Sequence, residues 1–91
     1  MNAADPAGAR TLHAAIAGKC CESGDLVTKD AQIQPVAPGD RLCVFATGAY
    51  NYSMASNYNR LPRPPIVMLR QGADRLVVRR ETYEQLIEND L

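Results

Sequence analysis

The sequence predicts a mainly β fold: a small β-sandwich or Greek-key barrel-like domain that ends in a short C-terminal helix. Three observations lead there. The apolar runs are short and are separated by clusters of Gly, Pro, Asn and Asp. A helical period appears only after Thr82. The length, 91 residues, has room for one modest core, because a chain this short buries only about 60–65% of its unfolded surface.

Taken in order, residues 1–11 are rich in Ala, Gly, Asp and Pro and lack an apolar period, so they read as a flexible leading segment, with order beginning near Leu12. The domain proper is then 12–91. In "TLHAAIAG" the β-compatible Leu12, Ala14 and Ile16 alternate up to Gly18, a short strand. "GKCCESGD" follows on a loop at its end, and "LVTKD" makes a second short strand. A Pro-Gly-Asp turn at 38–40 precedes the strongest strand signal, Arg41 to Ala46, whose run Leu42-Cys43-Val44-Phe45 predicts burial on both faces.

"TGAYNYSMASNYN" is too polar for a core element and reads as a loop with one helical turn. "RPPIVMLR" and "DRLVVRR" read as two strands joined by "QGAD", with Gly72 available for a positive φ. Thr82 and Gln85 have capping-box spacing, and Tyr83, Leu86 and Ile87 share one face, which predicts the closing helix. With one phenylalanine and no tryptophan, the core would rest on Leu, Ile, Val and Met. Its strand edges would need something larger beside them.

Ten Lys+Arg against ten Asp+Glu and a pI near 6.5 provide no field for nucleic acid or an anionic membrane. No apolar run approaches the ~20 residues of a membrane span, and the first 18 residues lack the pattern of a signal peptide. The expectation is a cytoplasmic protein. Three cysteines, two of them adjacent, are a poor disulfide framework and read as reduced thiols. One histidine and no C-x2-C pair speak against a zinc site.

Chemistry then has three places to reside: "CESGD" at 21–25, "GAYNYS" at 48–53 and "SNYNRLPRP" at 56–64. Each has an ordinary reading: a polar turn, tyrosines covering a sheet, and Arg60 and Arg63 as solvated charges. The functional reading of the first is a proton donor beside a cation-binding group. A cysteine thiol, with an unperturbed pKa of about 8.5, is mostly protonated at neutral pH, and a glutamate is ionised and can hold an ammonium group. The anions Glu22 and Asp25 favour the protonated form of Cys21, whereas a thiolate nucleophile wants cationic neighbours. The second cluster sets a tyrosine hydroxyl after Gly48-Ala49, where a phosphate oxygen could approach.

The order of these clusters is more specific than any one of them. "CESGD", then "GAYNYSMASNYN", "LPRPP" and "RRETYEQL" closely resemble the carboxyl-terminal end of the diaminopimelate decarboxylases, fold-type III pyridoxal-phosphate enzymes that convert meso-diaminopimelate to L-lysine. The resemblance runs from about Ile16 to Ile87. It implies a carboxyl-terminal β domain, with the α/β barrel that carries the Schiff-base lysine absent from this chain. It also implies a homodimer in which the "CESGD" loop of one subunit enters the cofactor site of the other. Carried over residue by residue, Cys21 matches the cysteine that protonates the substrate carbon after CO2 loss. Glu22 matches the acid that contacts the distal part of the substrate. Tyr50 matches the tyrosine that contacts the pyridoxal 5'-phosphate phosphate and lies close to substrate. Cys20 is read as incidental, and neither Lys19 nor Lys29 has the context of the Schiff-base lysine, so the chain alone is expected to be inactive. The alternatives are the β domain of a decarboxylase for another basic amino acid, or a free-standing, non-catalytic interaction module.

Overall fold

The computed structural model describes residues 1–91 and divides them into two units, Met1–Gly48 and Ala49–Leu91. The mainly β class with a short closing helix is what it shows, and the strands pair as two separate two-stranded antiparallel sheets.

In the first unit, β1 (Leu12–Ala17) pairs with β2 (Leu26–Ile33). Along β1, Leu12, Ala14 and Ile16 are half-buried and the residues between them are exposed, the alternation read from the sequence. The register passes from Ala14↔Ala31 to Ile16↔Thr28 and then to Ala17↔Leu26, so β2 carries extra residues at two irregular steps. That is why its inward set, Thr28, Ala31 and Ile33, does not alternate strictly. Ile33 is the buried apolar residue of the molecule.

The strand expected over Arg41 to Ala46 is not formed. Met1 and Ala3 exchange backbone hydrogen bonds with Cys43 and Arg41 at 2.8–3.1 Å, leaving one isolated bridge, Asn2–Leu42. A three-residue neighbour is too short to build a ladder, and Ala46, at φ 56°, turns the chain away. The burial predicted for this run is likewise absent: Leu42 and Val44 are exposed, and Phe45 is 65% exposed.

Nor does order begin at Leu12. Asn2 is buried, its N–H donating to Gln34 Oε1 and its side chain to Pro35 O, both at 3.1 Å. Gln34, also buried, donates in turn to Pro6 O at 3.1 Å. These buried amides are paired, which removes the penalty of hiding them from water.

α1 (Gly48–Asn51) begins on the last residue of the first unit and, in the second unit, runs into two 3₁₀ turns, Tyr52–Met54 and Tyr58–Arg60. This matches the loop with a helical turn. β3 (Ile66–Arg70) and β4 (Ala73–Val78) form a hairpin whose connection is only Gln71-Gly72, the pair Arg70↔Ala73 closing it. Both turn residues have positive φ, 52° and 78°, the geometry of a type I′ turn that suits the right-handed twist of paired strands. α2 (Tyr83–Ile87) begins with the expected capping box: Thr82 N–H donates to Gln85 Oε1 at 2.8 Å, and Gln85 N–H to Thr82 Oγ1 at 3.3 Å. Of its apolar face, Leu86 is half-buried, whereas Tyr83 and Ile87 are exposed.

Candidate functional site

The loop between β1 and β2 is folded by its own carboxylates. Gly18 N–H donates to Asp25 O at 2.7 Å and closes the mouth of the loop. Asp25 then turns its side chain back, and Oδ2 accepts from Cys20 N–H at 2.6 Å. A Cβ built on Gly18 would lie 2.1 Å from Asp25 Oδ2, so the carboxylate occupies space that only glycine leaves vacant.

Glu22 acts in the same manner one turn later. It stands in extended conformation before the 3₁₀ turn Ser23–Asp25, and its Oε2 accepts from Gly24 N–H at 3.0 Å. Its carbonyl accepts from Asp25 N–H at 3.2 Å. A Cβ on Gly24 would fall 2.8 Å from Glu22 Oε1. Two carboxylates thus fold over two glycines, and Cys21 and Glu22 stand exposed at the tip.

The thiol that the environment raises is Cys20. Partial burial pushes its pKa up first, followed by the charge of Asp25, a hydrogen bond to that carboxylate and the charge of Glu22; Lys19 opposes them. The three cysteines form no disulfide. No group of three or more His, Cys, Asp or Glu is arranged to hold a metal ion.

Tyr50 belongs to the second unit, on α1, with its side chain outward and the residue 73% exposed. Its carbonyl accepts from Ser53 Oγ at 2.6 Å, which fixes the turn that follows. Beyond its chain neighbours and its own helix backbone, nothing lies within 4 Å of a Cβ built on Gly48.

Sequence reasoning missed a well-connected polar group of the second unit, Glu81. Its Oε2 accepts from Asn57 Nδ2 at 2.5 Å and from Arg63 N–H at 2.8 Å, and Oε1 lies 3.4 Å from the Arg63 guanidinium. Arg63 is therefore a paired residue, unlike the solvated charge of the ordinary reading. Arg60 is paired as well, to Asp90 at 2.8 Å, although both remain exposed. The Arg63 N–H, above all, and then the Asn57 amide hold the Glu81 carboxyl below the usual carboxylate range, against partial burial. No local pattern signals this group, because its partners lie 18 and 24 residues away. It clamps both ends of the 57–63 loop, within which Asn59 and Arg60 adopt left-handed φ of 55° and 54°.

On its own the chain does not enclose a pyridoxal phosphate. Tyr50 offers one exposed hydroxyl, and Lys19 and Lys29 are exposed on the first unit. An open concavity of about 510 Å³ lies along the hairpin, lined by Met68, Leu69, Arg70, Ala73, Asp74 and Arg75. Another of about 320 Å³ is lined by Ala3, Ala4, Gly39, Asp40 and Arg41. Neither is lined by Cys21, Glu22 or Tyr50.

Comparison with known proteins gives a consistent picture. The family described as pyridoxal-dependent decarboxylase, C-terminal sheet domain, matches residues 2–48. The diaminopimelate decarboxylase of Bacillus subtilis is 58% identical over 76 residues, 84% of this chain and 17% of that protein. That of Synechocystis is 55% identical over 75 residues, 82% of this chain and 16% of its own length. Among solved structures, a diaminopimelate decarboxylase from m. jannaschi superposes with a TM-score of 0.80 at 41% identity, over 88% of this chain and 18% of that one. A further diaminopimelate decarboxylase crystal structure gives 0.78 at 39%, over 88% and 21%. The chain thus spans about a fifth or less of the length of these relatives.

Proposed function

Because the chain belongs to the pyridoxal-dependent decarboxylases, as their C-terminal sheet domain, we propose that it supplies part of a diaminopimelate decarboxylase site. The observation that carries this is the 58% identity over 76 residues to the Bacillus subtilis enzyme. A stretch of that length within 91 residues includes 16–76 wherever it begins, and so takes in Cys21, Glu22 and Tyr50 together.

In this reading meso-diaminopimelate loses one carboxyl group as CO2 and leaves as L-lysine, in the cytoplasm. Pyridoxal phosphate, held by a barrel domain outside this chain, supplies the electron sink that lets the carbon–carboxylate bond break. The chain's own residues handle protons and charge. The Cys21 thiol delivers from Sγ the proton that replaces the departing carboxyl group at the substrate carbon. Glu22, with Oε2 already engaged by Gly24 N–H, offers Oε1 to the ammonium at the far end of the substrate. Tyr50 donates its hydroxyl hydrogen to a phosphate oxygen of the cofactor. The tip of the 18–25 loop enters the site of a second subunit, which makes the assembled enzyme a homodimer.

The test is the decarboxylase assembled from this chain and a barrel domain, assayed for CO2 release from meso-diaminopimelate, ornithine and lysine in parallel. Release from diaminopimelate alone is expected. Turnover of ornithine or lysine with none from diaminopimelate would reassign the domain to another basic amino-acid decarboxylase.

A further inference from the structure

We infer that Asp25 is the positioning residue of the 18–25 loop: its carboxylate, seated over Gly18 and on the Cys20 N–H, fixes where the Cys21 thiol and the Glu22 carboxylate are presented. The inference deepens the function proposed above, on which it rests for the roles of Cys21 and Glu22.

Asp25 holds the loop at three points. Its carbonyl takes the Gly18 N–H at 2.7 Å, its N–H reaches the Glu22 carbonyl at 3.2 Å, and its Oδ2 takes the Cys20 N–H at 2.6 Å. The first two are backbone bonds that any residue at this position could make. The third needs a short side chain ending in an acceptor, and an ionised one strengthens it. It acts on the residue immediately before Cys21, so its loss frees the peptide that carries the thiol while the mouth of the loop stays closed.

Gly18 is the other half of the device. With both Asp25 carboxylate oxygens within 2.2 Å of a Cβ built there, an alanine at 18 would drive the carboxylate off the Cys20 N–H without removing it from the protein. Gly18→Ala and Asp25→Ala should therefore converge, although one keeps the acid and the other deletes it. Cys20 is a built-in reporter of the seated carboxylate. Its partial burial and the facing charges of Asp25 and Glu22 favour the protonated thiol, and Lys19 is the cation that opposes them.

The first arm of the test uses the 91-residue chain itself. Iodoacetamide labelling of Cys20 is followed across pH, with the site resolved by tandem mass spectrometry. In the wild type, half-maximal labelling is expected at a higher pH than in the urea-unfolded chain; in Asp25→Ala and Gly18→Ala it moves toward the unfolded value. A wild-type profile retained by Gly18→Ala overturns the seating of the carboxylate.

The second arm uses the assembled decarboxylase. Asp25→Ala and Gly18→Ala are expected to raise KM for diaminopimelate about tenfold and to lower kcat, while Asp25→Asn, which keeps an acceptor oxygen, stays within about threefold of wild type. A role confined to folding would lower the active fraction, and so kcat, and leave KM unchanged; that result, or equal losses in Asp25→Asn and Asp25→Ala, overturns positioning. If instead Cys21→Ala and Glu22→Ala turn over normally, the proposed roles of those two residues fall, while the labelling arm still decides the seating of Asp25.

Discussion

At the scale of the residue, adjacency in sequence conceals opposite surroundings. Cys20 is half-buried, with its N–H bound to Asp25, and Cys21 is exposed one residue on. The second is the more open of the two. In the assembled decarboxylase, Cys21→Ala should lower the product rate by about 10²–10⁴, the usual range for a positioned general acid, while Cys20→Ala changes it little. Equal losses measured at the two positions would contradict the assignment. Glu81 permits a test that needs no assembly. Its folded pKa lies below its unfolded one, so the stabilisation it contributes is present above the unfolded value of about 4.3 and is lost as pH falls through the folded value. Glu81→Gln should lower the urea midpoint at neutral pH, and the gap from wild type should narrow as the pH drops below about 4. A gap that persists unchanged in acid would mean that the clamp owes nothing to the charge.

At the scale of the element, local sequence rules held where the chain makes its own structure. The Thr82–Gln85 box is local, and both of its hydrogen bonds form. Thr82→Ala should cost about 1 kcal/mol and Thr82→Ser much less, as read from thermal unfolding followed by circular dichroism. At the hairpin the positive φ of Gln71 is the weak point, because a left-handed residue with a Cβ costs roughly 1–2 kcal/mol and asparagine tolerates the region better. Gln71→Asn should therefore raise the melting temperature; a fall would show that Gln71 makes a contact worth more than its strain. The same logic explains what was legible. β1, the hairpin and α2 follow from alternation, turn residues and a cap, all within a few residues of one another, whereas β2 was read only over its first five residues because its irregular steps break the alternation. The Arg41–Ala46 strand was misread because an apolar run reports that something should cover it, not that this chain supplies the cover. The tip residues Cys21 and Glu22 were visible as motif letters. The carboxylate seated on Gly18 was not, because nothing in the letters says that Asp25 folds back.

For the molecule as a whole the decisive quantity is surface. The chain exposes 7762 Å², whereas two separate compact units sharing its 9.9 kDa would expose about 6,300 Å². Large apolar side chains are part of that surface: Leu69 is 80% exposed, Val67, Met68, Leu76 and Val77 are exposed on the same hairpin, and Phe45 stands out in the first unit. At about 25 cal/mol per Å², burying a few hundred square ångströms of such surface contributes several kcal/mol, comparable to the whole stability of a small domain. Local hydrogen bonds can shape these elements, but they cannot replace the missing burial. The isolated 91-residue chain should accordingly bind the dye ANS and unfold at low urea, and a decarboxylase barrel domain should suppress the dye signal and raise the midpoint. Pyridoxal phosphate added without the barrel should produce neither change, and no visible Schiff-base band, because the chain presents one tyrosine hydroxyl and two exposed lysines rather than an enclosure. A midpoint left unchanged by the barrel would show that the exposed hairpin is stable bare; a coloured adduct abolished by Lys29→Ala would show that the chain holds the cofactor unaided.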